Sequence, residues 1–265
     1  MKKIWLMGGL GNVLFQVLGG KILRKYKNQK VYYVDLLTKK NFLTGVLKWK
    51  IHDKLYYDII KESEIKNPNS LIALVTVLVA LISKIFKTEN VYSTFYLNDH
   101  LKDSSLKSYN IFSYFQSKEF LSTYQKDLIL FGKELNQQFS TYSTCEIVVH
   151  YRKGDSVWAT DKYYNKVKGQ LRNYMGKPSI IIVTDCYKDA VLYFAEIDNC
   201  KVVKSNNALD DFIHMISAKV LFCAPSTFSW WAAHSLSEKS IIYFPKFLVD
   251  RLGVYVINEY HIIGE

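Results

Sequence analysis

The sequence predicts an α/β protein of two lobes, each built on a mostly parallel sheet. Three observations carry this: a strand, glycine turn, helix and second strand at the amino terminus; regular alternation of short apolar runs with amphipathic segments beyond residue 145; and a polar stretch, residues 136–144 (NQQFSTYST), between them. A chain of 265 residues is long for one compact core and comfortable for two. The lobes are placed at 1–140 and 141–265.

Residues 3–7 read as a strand, 8–11 as a tight turn, 12–27 as a helix and 31–35 as a strand. Lys2 and Lys3 ahead of IWLMGGLGNVLFQVLGG imitate a signal peptide, yet Asn12 and Gln16 interrupt the apolar run at regular spacing, and strand, turn and helix explain the same letters. From 41 to 109 the pattern is irregular, with a helix expected over 71–86. Its apolar part, 71–82 (LIALVTVLVALI), is too short to cross a bilayer of about 30 Å as a helix. It is either a buried helix or a segment lying on a membrane surface, and Lys84, Phe86 and Lys87 keep the second reading open. Residues 109–115 read as a strand and 118–139 as a helix. Then come strands at 145–151, 179–183, 202–203, 220–223 and 241–244, separated by helices at 163–174, 190–197, 210–218 and 227–237.

A hydrophobic fraction of 49% with 15% aromatics excludes a disordered chain. The net charge of +11 attracts nucleic acid, anionic lipid or phosphorylated small molecules. No basic run interleaved with aromatics and no helix-turn-helix or zinc-finger spacing is present, which disfavours nucleic acid. Cys145, Cys186, Cys200 and Cys223 never approach a CxxC spacing, which argues against zinc, thiol redox chemistry or a disulfide framework; at least three of them are expected as small buried hydrophobes in a reducing cytosol.

In parallel sheets ligands gather at the carboxyl ends of the strands. His150 and Arg152, at i and i+2, leave one strand on the same face, with Asp155 just beyond. Thr184 and Asp185 follow a second strand, and Ser226, Thr227 and Ser229 stand between a third strand and a helix. Arg152 can hold phosphate oxygens through two hydrogen bonds, or form an ion pair with Asp155 or Asp185. His150 can meet a nucleotide base or satisfy a buried carbonyl. The hydroxyls at the helix start suit an anion, although N-capping by Ser226 is the competing reading. Trp230 and Trp231 are assigned to the core. The turn MGGLGN lacks the third glycine of GxGxxG and has no GK[ST]; it leaves Gly9, Gly11 and Asn12 as backbone able to approach a ligand closely.

These motifs resemble the bacterial and animal α-1,2-fucosyltransferases, glycosyltransferase family 11. GGLGNVLFQ (8–16), SYFQSKEF (113–120), HYRKGD (150–155), DKYYNKV (161–167), HMISAKVLFCAPSTFSWWAAH (214–234) and IIYFPK (241–246) are similar to family segments and run in the same order. The resemblance implies a GT-B arrangement of two Rossmann-like lobes with a cleft between them, acceptor on the first lobe and GDP-fucose on the second, and no metal or other cofactor. It implies inverting transfer of L-fucose from GDP-β-L-fucose to the 2-hydroxyl of a galactose-type residue in a bacterial surface glycan; the basic surface and the apolar segment 71–82 suggest, as a separate hypothesis, that the protein sits at the inner membrane face to reach a lipid-linked acceptor. Arg152 would hold the β-phosphate, His150 and Asp185 would position the nucleotide, and residues 226–229 would line the diphosphate. Asp155, or Asp35 from the first lobe, is the candidate base. Val13, Lys153, Cys186 and His234 depart from the family pattern. The alternatives are a transferase for another nucleotide sugar and an inactive nucleotide- or glycan-binding module. A cytoplasmic protein, with contact at the inner membrane face held open, is the expected setting.

Overall fold

The computed structural model describes residues 1–35, 59–60, 65–66, 75–79, 93–96, 109–140, 145–154, 158–174, 179–205 and 207–264. It divides into two compact units, Met1–Asp127 and Leu128–Glu265. Each carries its own parallel sheet.

The first unit opens with β1 (Lys2–Leu6), α1 (Leu10–Lys27) and β2 (Val31–Asp35), followed by β3 (Ile65–Lys66), β4 (Ser93–Tyr96), β5 (Asn110–Ser113) and α2 (Lys118–Thr123). The strand order is β3-β2-β1-β5-β4, with every pair parallel. α1 begins at Leu10, so the expected turn contributes its second half to the helix; Gly8, at φ 76, makes the reversal that a side chain would resist. Asn28 closes α1 in the left-handed region, and Arg24, Lys25 and Lys27 oppose the helix dipole in its last turn. Gln16 is fully buried: its Oε1 accepts from the Met7 amide at 2.9 Å, and its Nε2 donates to the carbonyls of Trp5 (2.8 Å) and Ser113 (3.0 Å). This one amide therefore satisfies backbone groups at the carboxyl ends of β1 and β5. Of the apolar segment 71–82, residues 75–79 are helical, with Thr76 and Val77 buried and Val75 and Leu78 each 48% exposed; the remainder lies outside the described residues. No helix among the described residues is long and apolar enough to cross a membrane.

The helix expected over 118–139 is two helices, α2 and α3 (Gln125–Phe139), parted at Tyr124. Ser122 and Thr123 both donate their hydroxyls to the Glu119 carbonyl, at 3.0 and 2.7 Å, in competition with the helical ladder. α3 belongs almost wholly to the second unit, and it runs through the first part of the polar segment read as a linker. Phe131 meets Trp231 edge-on at 5.4 Å, Asn136 donates to the Ser235 carbonyl at 2.6 Å, and a Cβ on Gly132 would lie 2.0 Å from the His234 carbonyl oxygen. This close packing puts the division at 127/128 rather than at 140/141.

The second unit continues with β6 (Cys145–Tyr151), α4 (Asp161–Leu171) and its 3-10 extension (Arg172–Tyr174), β7 (Ile180–Thr184), α5 (Tyr187–Tyr193), β8 (Cys200–Val203), α6 (Ala208–Ile216), β9 (Ala218–Phe222), α7 (Thr227–His234), β10 (Ile241–Pro245), α8 (Lys246–Leu252) and β11 (Glu259–Ile263). The order β11-β10-β9-β6-β7-β8 is parallel throughout and places β6 and β9 side by side in the interior. Ile147, Val148 and Val149 are all buried, as a strand covered on both faces requires. On one face Val149 and Tyr151 join Tyr163, Tyr164, Val167 and Leu171 of α4 in a core cluster. His150, on the alternate face, meets Phe228 of α7 at 5.7 Å. Of the cysteines with described side chains, Cys223 is buried while Cys186 and Cys200 are only partly covered, fewer than expected.

His234 ties α7 to the carboxyl-terminal segment. Its Nδ1–H donates to the Trp230 carbonyl at 2.7 Å, and its Nε2 accepts from the Tyr255 amide at 3.1 Å. Burial lowers its pKa to about 3, so the imidazole stays neutral. A depressed histidine pKa stabilises the fold above the unfolded value of about 6.5 and loses that contribution as pH falls toward the folded value. Stability to urea is therefore expected to fall from pH 6.5 toward 4, and His234→Leu is expected to be weaker at pH 7.5 by about 1–3 kcal/mol with a shallower acid limb. Identical acid limbs in the two proteins would remove His234 from this account.

Candidate functional site

The site residues of the second unit collect where the carboxyl ends of β6, β7, β8 and β9 meet the first turns of the helices that follow. His150, next to last in β6, is 4% exposed. Its Nδ1 lies 2.5 Å from Ser229 Oγ, and that oxygen also accepts from the Ala224 amide at 3.0 Å. With an amide already donating to it, the Ser229 hydroxyl can give its proton to Nδ1, which leaves Nε2 as the imidazole's N–H. Burial, and secondarily the Arg152 guanidinium, lowers the His150 pKa to about 3. The ring is a neutral donor, ready for an acceptor atom of a ligand.

Arg152 stands one residue beyond the strand. Its backbone N–H donates to Tyr164 Oη at 2.8 Å, and Tyr164 Oη donates to the His150 carbonyl at 3.3 Å. Burial raises the Tyr164 phenol, so it remains protonated and holds the strand end from the opposite face. Asp185, after β7, accepts from the amides of Lys153 (3.1 Å) and Gly154 (3.2 Å). The structure thus uses this exposed carboxylate to fasten the loop that carries Arg152, a contact the sequence did not suggest.

The three hydroxyls after β9 have different surroundings. Ser226 caps α7, accepting from the Ser229 amide at 3.1 Å, so the capping reading holds while its O–H can still donate outward. Ser229 is fully buried and serves His150 and Ala224; it positions the site from beneath. Thr227, partly exposed, begins the helix, whose first-turn amides and dipole favour an anion at this tip. Trp230 and Trp231 are fully buried, as expected.

Two features were missed. Tyr164 was visible only as part of DKYYNKV. Asp211, in the first turn of α6, has Oδ1 buried without a hydrogen-bond partner, and so does Ser205 Oγ just after β8. Burial raises the Asp211 carboxyl to about 6, with Asp210 and Asp185 adding repulsion against a hydrogen-bonding contribution from Ser205. A buried carboxylate oxygen left unsatisfied at the carboxyl edge of the sheet is a site signal, and one acid in the pair Asp210-Asp211 gave no sign of it in the sequence.

In the first unit, Gly9 is the N-cap of α1, with its carbonyl accepting from Asn12 (2.9 Å) and Val13 (3.1 Å). Gly11 is buried inside the helix. Asn12 Oδ1 accepts from Gln116 Nε2 at 2.8 Å, beside Phe115 in its left-handed conformation at φ 53. Asp155 lies outside the described residues, as does the side chain of Asp35. Among the described residues no group of three or more His, Cys, Asp and Glu side chains could hold a metal ion.

Removing the Ser229 hydroxyl leaves the Ala224 amide and His150 Nδ1 buried without their partner. Ser229→Ala is expected to lower the unfolding free energy by about 1–3 kcal/mol in urea titration. An unchanged midpoint would show that another group already serves His150.

No family model matches the chain. It is 26% identical over 286 residues to an O-antigen biosynthesis glycosyltransferase of Escherichia coli, WbnK, covering 89% of this chain and 91% of the relative. It is 25% identical over 256 residues to an α-1,2-colitosyltransferase of the same organism, covering 86% and 85% respectively. Among solved structures, E. coli heptosyltransferase WaaC with ADP superposes with a TM-score of 0.53 at 12% identity, covering 100% of this chain and 93% of that one. The α/β architecture with parallel sheets is similar to that of GT-B glycosyltransferases. Fold and relatives together support a glycosyltransferase, and neither selects the sugar.

Proposed function

We propose that the protein transfers L-fucose, with inversion, from GDP-β-L-fucose to the 2-hydroxyl of a galactose-type residue in a bacterial surface glycan. One observation carries the reading: a neutral His150, fixed through Ser229 to the tip of α7, with the Arg152 charge at the same strand end. As the acceptor hydroxyl attacks C1 and the C1–oxygen bond breaks, positive charge grows on the sugar and negative charge on the β-phosphate. Arg152 and the α7 tip oppose the latter charge in a preorganised setting, which is where such catalysis gains most. Asp211 is suited to guanine, whose ring N–H and amino group offer two donors to one carboxylate. Asp155 or Asp35 would take the acceptor proton, and no metal is invoked. The α-1,2 linkage and the O-antigen setting printed for the two relatives support the reading. The colitosyl relative favours a second one, transfer of another sugar from a nucleotide donor by the same edge.

Arg152→Ala is expected to lower turnover of GDP-fucose about 100-fold or more, on the order of 3 kcal/mol. Near wild-type kinetics in the purified variant would exclude this role. At Asp211 the raised pKa means that protonation favours the fold, a contribution present below the ordinary carboxylate range and lost as pH rises through about 6. Guanine requires the ionised form. Accordingly the KM for GDP-fucose should rise as pH falls below 6. Asp211→Asn should melt higher than wild type at pH 7.5 yet bind GDP weakly at every pH; tight GDP binding by that variant would count against guanine at this position.

A further inference from the structure

We propose that Trp158 and Phe247 form a stacking platform for a sugar ring of the acceptor glycan, an inference that rests on the glycosyl-transfer reading of the adjacent cradle. The two rings lie nearly parallel, 17° apart with centroids at 4.4 Å, and the indole is 49% exposed. Trp5, Trp230 and Trp231 are all buried, so Trp158 stands apart among the described tryptophans. Solvent exposure of so large an apolar ring favours a binding role over a packing one.

Placement decides what binds. Trp158 follows β6 and precedes Thr160, the cap of α4; Phe247 lies in the first turn of α8, immediately after β10. β9 runs between β6 and β10 and ends in the Ser226 tip of α7, so the ring pair spans the edge beside the anion cradle. On the β7 side of that cradle, α6 packs over β6 and β7 and carries Asp211, whose carboxyl feels the charge of Asp185 just after β7 and whose Oδ1 is left without a partner. A nucleotide sugar with its base at Asp211 and its diphosphate at Arg152 therefore points its sugar toward β9 and β10, where the platform waits for the acceptor. One face of a pyranose is a patch of weakly positive C–H groups, which matches the negative face of an indole. Phe247 backs the indole, and the Arg251 guanidinium lies 5.9 Å from the Phe247 ring centroid. That stacking holds the indole in place before the sugar arrives, which reduces the ordering cost of binding.

The test compares wild type with Trp158→Ala and Trp158→Leu, the latter retaining an apolar side chain. Binding of lactose and of methyl β-galactoside is measured by ligand-observed NMR without nucleotide, GDP binding by calorimetry, and GDP-fucose hydrolysis without acceptor. Both variants are expected to bind lactose about tenfold more weakly, to lose the preference for lactose over the monosaccharide, and to keep wild-type GDP binding and melting temperature. Unchanged saccharide binding in both variants would overturn the proposal. So would loss of GDP affinity, because the platform would then belong to the base. Should wild type bind lactose through Trp158 but ignore GDP-fucose, the fucosyl reading fails while the platform stands.

Discussion

A single buried serine oxygen holds the candidate site together. Ser229 Oγ accepts from the Ala224 amide and lies 2.5 Å from His150 Nδ1, so it joins the turn after β9, the first turn of α7 and the end of β6. Each of these groups would be costly to bury alone. Together they need one another, and the imidazole, kept neutral by burial, is fixed in orientation only while the helix tip stays in register with the strand. The first turn of α7 and the strand end that carries Arg152 are thereby tied to one another.

The opposite face of β6 completes that constraint. Tyr164 receives the Arg152 amide and reaches back to the His150 carbonyl, so both backbone groups that would otherwise fray at the strand end are engaged. Tyr151 packs 4.5 Å from the Tyr164 ring and donates to Asp189, while Tyr163 donates to the Cys223 carbonyl beside the α7 turn. Two adjacent tyrosines of α4 thus grip the ends of two adjacent strands. With Asp185 fastening the loop beyond, Arg152 emerges from backbone held on three sides. Preorganisation of this kind is what a charge-stabilising group needs, because reorientation during the reaction would cancel much of its benefit.

Much of this was legible in the letters, and for identifiable reasons. β2 and β6 fall where the apolar runs place them, because a strand covered on both faces must be apolar throughout. The gathering of His150, Arg152, Ser226 and Ser229 follows from parallel topology alone. β11 was missed since it is an edge strand whose first four residues are exposed, leaving no apolar period to detect. α8, Lys246–Leu252, was not anticipated: it starts directly at the Pro245 end of β10, with no polar break to set it off from the strand. Ser229 could be marked as a site residue, but its direction could not be read: whether a hydroxyl faces ligand or core depends on what packs over the first turn of its helix, here His150 and the Ala224 amide. Asp211 escaped for a different reason. Its significance is one buried carboxylate oxygen left unsatisfied, and no pattern of neighbours along the chain records that.

The order of groups along the second sheet also separates the parts that the proposed transfer would use. Asp211 lies on the β7 side, the guanidinium and helix tip lie at β6 and β9, and the aromatic pair lies toward β10. Base, diphosphate and saccharide would then meet separate strands, so that contacts to one can change without disturbing another. The central part is internally braced and intolerant of change, since altering Ser229 or Tyr164 disconnects several backbone groups at once. The outer part, with half-exposed Trp158 on Phe247, depends on few buried partners and can vary at little cost to the fold. On the proposed reading, leaving-group stabilisation would fall to the braced centre, and selectivity for the saccharide to the more loosely held edge beyond β9.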